Sequence, residues 1–425
     1  MSGSSGKSAM SGTINVGSAF ELGNGVQIRN RTFKSAMSEQ LGDGQHNPTQ
    51  GLFRLYHTWA KGGIGISMTG NVMVDRSALG EPKNVVLDDA SDLAAFRNWA
   101  SAGKQDGAHI WMQLNHPGKQ IPSFLSKEPV APSAIPLGKG LEKAFNKPRA
   151  LTDAEIKVII GKFVTAAKLA KDTGFTGVQI HGAHGYLVSQ FLSPRHNHRQ
   201  DQWGGSLENR ARFLLEIYRG IRQAVGKEFP VSVKLNTADF MKDGFSFDEA
   251  VQVVAWLEEA GIDLVEISGG TYENPSMMGS ASGMDKPIKA STAKREAYFL
   301  DYAMKLREAV SVPLVVTGGF RSAQAMNEAL QVGATDFIGL ARSLALEPDF
   351  PASVIADDHY AIRIDRPTTG VKAVDRFSML DITWYEFQLE RMAQGKRPKA
   401  KLNAWYAVAG TVGRLGMHAF AQRRA

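Results

Sequence analysis

A unit of strand, helix and strand occupies residues 174–236, which read GFTGVQIHGAHGYLVSQFLSPRHNHRQDQWGGSLENRARFLLEIYRGIRQAVGKEFPVSVKLN. GFTGVQIHG and VSVKLN are short apolar runs that predict buried strands. Between them, SLENRARFLLEIYRGIRQAVG has apolar residues at helical spacing, with Ser206 as its N-cap and Gly226 as its stop signal. This order of elements predicts a parallel βαβ unit.

The same alternation extends over about residues 26–350. The eight predicted strands are TFKSAM, IGISMTG, HIWMQLN, GFTGVQIHG, VSVKLN, LVEIS, PLVVTGG and FIGLAR. Several of the intervening helices begin at a capping residue, namely Thr152, Ser206, Ser246 and Ser322. Eight strands with helices between them predict an α/β fold, a closed (β/α)8 TIM barrel. A doubly wound open sheet is the alternative, but no phosphate-binding glycine turn follows the first strand.

The composition restricts the classes of function. The chain has 425 residues, 43% of them hydrophobic, and its net charge of +7 is spread along the sequence. It has no cysteine, which excludes disulfides, thiolate zinc sites, cysteine nucleophiles and cysteine-bound iron–sulfur clusters. The sequence shows no nucleic-acid motif and no apolar run of about 18 residues, so we expect a cytoplasmic protein that binds neither nucleic acid nor a membrane.

Three regions differ in character. Residues 1–14 are small and polar and predict a disordered arm or tag, and residues 15–350 form the barrel. Two long connections inside the barrel, 116–150 and 270–294, predict a cap over its mouth and a mobile lid. The helical spacing in residues 351–425 predicts a C-terminal helical extension that packs on the barrel or on a partner subunit of a homo-oligomer.

Strand parity predicts a polar barrel interior. Alternate residues of a strand point to opposite faces, so Val231, Val233 and Leu235 face the helices. The residues on inward faces are Trp111, Gln113 and Asn115, then Gln179 and His181, then Ser232, Lys234 and Asn236. A barrel core built only for stability prefers Val, Ile and Leu at such positions. The polar side chains therefore predict a functional site inside the barrel.

Two imidazoles and a phenol follow the fourth strand, at the end where α/β barrels keep their chemistry. His181 and His184 could donate hydrogen bonds to a carbonyl or phenolate oxygen, bind a metal, or form a structural pair. Two histidines are a weak metal signal, and no inward carboxylate completes a ligand set, so we expect no metal. Tyr186 could release a proton to a developing carbanion, or its ring could pack at the foot of a loop.

Two further features predict ligand binding. TGGF and GLAR place glycine turns after the seventh and eighth strands, where NH groups, the helix that starts near Ser322 and the Arg342 guanidinium suit a phosphate. Lys234 could stabilise negative charge on a ligand or form a Schiff base. Alternatively, Lys234 could have a structural role, as the cation of an ion pair with a carboxylate.

HGAHGYL, FLSP, WGGSLENR and the GGF–GLAR pair are together specific, and through them residues 15–350 resemble the Old Yellow Enzyme family. The resemblance implies noncovalent FMN at the barrel mouth and NADH or NADPH as reductant. The residues that it implies for the flavin are Ala36, Ser38, Gly70, Gln113, Lys234, Gly318, Gly319 and Arg342. It also implies that His181 and His184 bind a substrate oxygen and that Tyr186 donates a proton.

The reaction implied by this resemblance is reduction of the activated C=C bond of an α,β-unsaturated carbonyl compound, by hydride transfer in ping-pong order. The chain departs from the family at Ala36 and Ser38, where relatives have Pro and then Thr or Cys, and at Lys234, where many have Arg. Two other functions stay open. One is a phosphate-binding lyase or aldolase that uses Lys234 as a Schiff base, and the other is a noncatalytic flavin-binding protein.

Overall fold

Eight parallel strands close into a barrel in the computed structural model, which describes residues 13–138, 140–269, 273 and 299–415. The strands are Thr32–Lys34 (β1), Ile66–Met68 (β2), His109–Asn115 (β3), Gly177–Gly182 (β4), Val231–Asn236 (β5), Leu264–Ser268 (β6), Leu314–Thr317 (β7) and Phe337–Leu340 (β8). β8 pairs with β1, and β3 pairs with both β2 and β4, so the sheet closes on itself. The predicted (β/α)8 TIM barrel is confirmed, and the open sheet is wrong.

Helices cover the outside of this barrel. Those that follow β1 to β8 are Gln50–Lys61 (α1), Leu93–Gly103 (α2), Asp153–Asp172 (α3), Leu187–Leu192 (α4), Leu207–Val225 (α5), Phe247–Glu259 (α6), Leu300–Arg307 (α7), Ala323–Gln331 (α8), Arg342–Leu346 (α9) and Phe350–Ala356 (α10). Thr152 and Ser246 cap α3 and α6 as predicted, and they form capping boxes with Glu155 and Glu249. These caps satisfy NH groups that a helix start otherwise leaves unpaired. None of the described helices has the length and apolarity to cross a membrane.

The strands separate two apolar cores. Outward residues such as Ile180 and Val233 pack beneath the helices in the larger core, as strand parity predicts. Inside the barrel, the half of the lumen nearer the amino-terminal ends of the strands, here called the lower half, is apolar. The half nearer their carboxyl ends is called the upper half. The residues of this lower half are Leu22, Ile28, Phe33, Ile66, Met68, Trp111, Leu264, Val315 and Phe337. Leu22 and Ile28 belong to a short antiparallel hairpin, Phe20–Glu21 with Gln27–Ile28, that contributes to this core ahead of β1.

The segment after the barrel consists of helices Lys372–Phe377 (α11), Leu380–Ala393 (α12) and Ala404–Leu415 (α13). α12 lies against α1, where Arg54 Nη1 donates to the Ala393 carbonyl at 2.5 Å. Trp384 Nε1 donates to the Leu402 carbonyl at 3.2 Å and joins α12 to the start of α13. Within the described residues, α12 of the extension therefore contacts the barrel through α1. The predicted lid, 270–294, lies outside the described residues except for Glu273.

Candidate active site

One hydrogen-bonded network links side chains of five strands in the upper half of the lumen. Gln113 Nε2 donates to Gln179 Oε1 at 2.7 Å, and Gln179 Nε2 donates to Glu266 Oε2 at 3.0 Å. Lys234 Nζ and Thr317 Oγ1 donate to Glu266 Oε1 at 3.0 and 2.8 Å. The structure thus connects Gln113 and Lys234, two of the residues predicted for the site, through Gln179 and Glu266.

Sequence reasoning missed Glu266, the inward carboxylate that pairs with Lys234. Parity within LVEIS was the available signal, because Glu266 shares a face with Leu264 and Ser268 and lies beside Lys234 in the register of β5 and β6. Of the alternatives for Lys234, the structure shows the ion pair with a carboxylate. Among the described residues, no group of three His, Cys, Asp or Glu side chains is placed to hold a metal.

His181, one residue before the end of β4, is a buried, neutral imidazole. Its pKa lies well below the ordinary value, first because burial disfavours the cation and second because the Lys234 ammonium is near. The Ala183 N–H donates to His181 Nδ1 at 3.3 Å. A neutral ring that accepts at Nδ1 carries its proton on Nε2. His181 therefore presents an N–H donor at Nε2.

His184 is held by polar contacts of both its backbone and its ring. Its backbone N–H donates to Asn236 Oδ1 at 3.2 Å, and its ring Nε2 lies 2.7 Å from Ser268 Oγ. Its φ of +62° is in the left-handed region, which costs a non-glycine residue about 1–2 kcal/mol. The His181 and His184 ring centroids are 5.0 Å apart. The structure thus brings the two predicted histidines together and fixes His184 at a conformational cost.

Tyr186 completes the cluster. Its ring centroid lies 4.9 Å from that of His181, at an interplanar angle of 77°. The side chain is buried at 6% exposure and packs with Leu137, Leu141 and Phe145. These three residues belong to the 116–150 connection, so part of that connection covers the phenol with apolar side chains.

Two residues predicted for the flavin, which follow the first two strands, are already paired within the protein. The Gly70 N–H donates to Tyr56 Oη at 3.0 Å, and Ser38 Oγ donates to Glu81. Ser38 and Gly70 line the same small cavity beside Trp99. Ala36 instead packs against the apolar lower half of the lumen. The structure therefore brings Ser38 and Gly70 together beside one cavity. It places Ala36 apart from them, against the lumen core.

The turns after β7 and β8 carry the residues predicted for a phosphate. Gly318 and Gly319 have φ values of +103° and +95°, in the region that favours glycine. The Arg342 guanidinium lies 5.5 Å from the ring centroid of Tyr385 in α12. Burial raises the pKa of Tyr385, whereas Arg342 and Arg321 both oppose this rise. Arg321 in TGGFR is thus a second cation at this corner that sequence reasoning missed.

The sequence profile of the NADH:flavin oxidoreductase / NADH oxidase family matches residues 18–358. The chain belongs to this family. The NADH-dependent flavin oxidoreductase iliE of Hypocrea jecorina is 40% identical to it over 351 residues, which cover 78% of this chain and 86% of that relative. The NADH oxidase of Thermoanaerobacter brockii is 36% identical over 346 residues, but the chain spans only half of its length, 50%.

Solved structures of similar proteins agree with this assignment. A 2-naphthoyl-CoA reductase complexed with 2-naphthoyl-CoA is 27% identical, with a TM-score of 0.73 over 80% of this chain and 52% of that one. Morphinone reductase is 21% identical, with a TM-score of 0.68 over 84% of this chain and 93% of that one, and shows the likeness of fold. The protein is thus a flavin-dependent NAD(P)H oxidoreductase, with FMN as its cofactor.

The upper lumen fits an FMN ring. Gln113 Oε1 is buried and has no hydrogen-bond partner among the described residues. An unpaired buried carbonyl oxygen is costly unless a bound group supplies a donor, and the isoalloxazine ring has an N–H. The Lys234 ammonium suits a ring that gains negative charge when it is reduced, and the Arg342 guanidinium suits a phosphate. Gln113, Lys234 and Arg342 are accordingly the side chains that would hold FMN.

Proposed function

We propose that this oxidoreductase reduces the activated C=C bond of α,β-unsaturated ketones, aldehydes or related compounds, in ping-pong order after NADH or NADPH. The observation that carries the proposal is the cluster of His181, His184 and Tyr186 at the carboxyl end of β4. It combines donors for a carbonyl oxygen with a proton source in one buried place. Those are the two functions that addition of H⁻ and H⁺ across such a bond requires from the protein.

The two histidines would activate the substrate through its oxygen. His181 offers its Nε2–H as a neutral donor, and Ser268 and Asn236 hold His184 beside it. Hydrogen bonds to the carbonyl oxygen withdraw electrons from the conjugated bond and make the β-carbon electrophilic. FMN, held by Gln113, Lys234 and Arg342, would supply the hydride chemistry that reduction of this carbon requires.

Tyr186 would then deliver the proton to the α-carbon. The apolar cover of Leu137, Leu141 and Phe145 excludes water from the phenol, which makes Tyr186 the proton source instead of solvent. The same cover favours substrates that are apolar next to the double bond. The comparison with solved structures is consistent with a reductase, since one similar protein, 27% identical, is named 2-naphthoyl-CoA reductase.

The test begins with the absorption spectrum of the purified enzyme and titration with NADH and NADPH, followed by turnover with 2-cyclohexenone. Tyr186→Phe should lower kcat about 10²- to 10⁴-fold, the usual range for a lost proton donor, while the rate of flavin reduction by NAD(P)H stays unchanged. Unchanged turnover in Tyr186→Phe would remove the proton-donor assignment. A purified protein that binds no flavin would refute the whole scheme.

The same samples separate the two other functions. A Schiff-base lyase needs the Lys234 nitrogen free to attack a carbonyl, but that nitrogen is engaged in an ion pair with Glu266. Borohydride trapping of a carbonyl compound on Lys234 would support the lyase. A noncatalytic flavin-binding protein would show the flavin spectrum without steady consumption of NAD(P)H in the presence of an enone.

A further inference from the structure

Glu266 is a buried carboxylate in the middle of the upper lumen, with no exposed surface. It accepts three hydrogen bonds, from Lys234 Nζ at 3.0 Å, Thr317 Oγ1 at 2.8 Å and Gln179 Nε2 at 3.0 Å. The Lys234 ammonium can only donate, which suits an ionised carboxylate. Glu266 therefore places a full negative charge beside the Lys234 cation.

The hydrogen bonds also give the network a direction. Glu266 is an acceptor, so Gln179 turns its amide NH2 to Glu266 and its carbonyl to Gln113. Gln113 must then turn its own NH2 to Gln179, which leaves its Oε1 as the atom without a partner among the described residues. The carboxylate at one end of the chain thus determines that the other end presents an acceptor. Gln113 is one of the residues that would hold FMN, so Glu266 is coupled to the flavin by hydrogen bonds as well as by charge.

We infer that Glu266 is a positioning residue that lowers the reduction potential of the bound flavin by neutralising Lys234. Uptake of two electrons and one proton leaves one additional negative charge on the flavin. Lys234 alone would favour that charge, whereas the Lys234–Glu266 pair is close to neutral. Reduced FMN beside the Lys234–Glu266 pair would thus be a stronger hydride donor than reduced FMN beside Lys234 alone. The inference rests on the flavin site and is independent of the alkene proposed as acceptor.

The test is Glu266→Gln, an isosteric change that removes the charge. The flavin-loaded protein is titrated with dithionite in the presence of a reference dye, and the midpoint potential is compared with that of the wild type. We expect the equilibrium to shift at least about tenfold towards reduced flavin, which for a two-electron couple is an increase of about 30 mV. By the thermodynamic cycle, the ratio of the dissociation constants for oxidised and reduced FMN changes by the same factor.

Asp263→Asn is the matched control, because Asp263 immediately precedes the same strand, β6, at its opposite end. Its carboxylate is also largely buried and accepts from Arg222 Nη2 at 2.5 Å and from the Val231 N–H at 2.7 Å. We expect this variant to lose thermal stability and to keep the wild-type potential. A Glu266→Gln variant that keeps the wild-type potential, or lowers it, would overturn the inference and leave Glu266 a structural residue.

A second set of variants covers the case in which Glu266→Gln does not fold. Lys234→Met should shift the equilibrium about tenfold towards oxidised flavin, since Glu266 is then unopposed. The double variant Lys234→Met/Glu266→Gln, which removes both charges, should return close to the wild-type potential. A double variant with the potential of Lys234→Met would show that the carboxylate does not act on the flavin and would overturn the inference. All of these measurements are made without an alkene, so failure of the proposed alkene reduction does not affect them.

Discussion

The lower and upper halves of the barrel lumen are built by the same strands but have opposite chemistry. On β3, Trp111 belongs to the apolar lower half and Gln113 to the polar upper half. On β6, Leu264 and Glu266 are divided in the same way. Residues two apart on a strand share a face. Two consecutive lumen-facing residues of one strand can therefore belong to different halves, the first to the apolar core and the second to the polar site.

The difference between the halves separates stability from function. Burial of apolar surface stabilises the lower half. The upper half buries charges and amides that satisfy one another, and it leaves the Gln113 carbonyl without a partner among the described residues. Such a network gives less stability than apolar packing of the same volume. Its retention inside the barrel is explained by the flavin that it would hold.

The largest expected effect comes from the lower half. Phe33→Ala removes a fully buried ring and should lower the free energy of unfolding by about 3–5 kcal/mol, measured by urea denaturation at constant FMN. The turnover per bound flavin should change little, because Phe33 lies below the polar network. Val332→Ala, at a side chain that is 63% exposed, should stay within about 0.5 kcal/mol. A Phe33→Ala variant as stable as the Val332→Ala control would contradict the division of the lumen into a stabilising lower half and a functional upper half.

A change in the upper half should have the opposite profile. His181→Ala removes the Nε2–H donor and should lower kcat/KM for 2-cyclohexenone about 10²- to 10³-fold, the cost of a lost oxyanion donor. The chain should remain folded and bind FMN, as checked by circular dichroism and absorption. His109→Ala, at the first residue of β3 and thus at the other end of the barrel, is the control and should keep nearly full activity. Equal losses in both variants would mean that His181 acts through stability.

Sequence reasoning predicted the barrel and much of the polar interior because these depend on local rules. Period-two patterns gave HIWMQLN, VSVKLN and LVEIS their bounds, and capping residues gave the starts of α3 and α6. Parity also showed which side chains face the lumen. It cannot show their depth, since depth depends on the stagger between neighbouring strands. The apolar lower half was therefore not foreseen.

The hydrogen-bond partner of each polar side chain could not be predicted from the sequence either, because it also depends on how neighbouring elements are placed relative to one another. The Lys234–Glu266 pair depends on the register of β5 against β6, which no local pattern specifies. The pairing of the Gly70 N–H with Tyr56 joins a strand end to a helix, and the approach of Tyr385 to Arg342 joins the extension to the last strand. Contacts between elements distant in sequence require the packed structure.

The polar half should also make the enzyme sensitive to acid. Burial lowers the pKa of His116, which follows β3, to about 4, although Asp75 opposes this shift. The unfolded chain takes up this proton near pH 6.5 and the folded chain does so only near pH 4, so stability falls as the pH decreases between these values. The loss from His116 should reach about 2 kcal/mol at pH 5 relative to pH 7. His116→Gln should reduce this slope in urea titrations, whereas His359→Gln, at an exposed histidine, should not.

The smallest expected effect tests whether the C-terminal extension contributes to the flavin site of the upper half. Tyr385 of α12 lies against Arg342, so the extension supports a guanidinium predicted to bind the FMN phosphate. Loss of a cation–π contact of about 0.5–1 kcal/mol should weaken FMN binding about two- to fivefold in Tyr385→Ala, measured by quenching of flavin fluorescence. Tyr385→Phe keeps the ring and should bind FMN like the wild type. If Tyr385→Ala also bound like the wild type, Arg342 would be held by the barrel alone, and the extension would lie outside the site as the lower half of the lumen does.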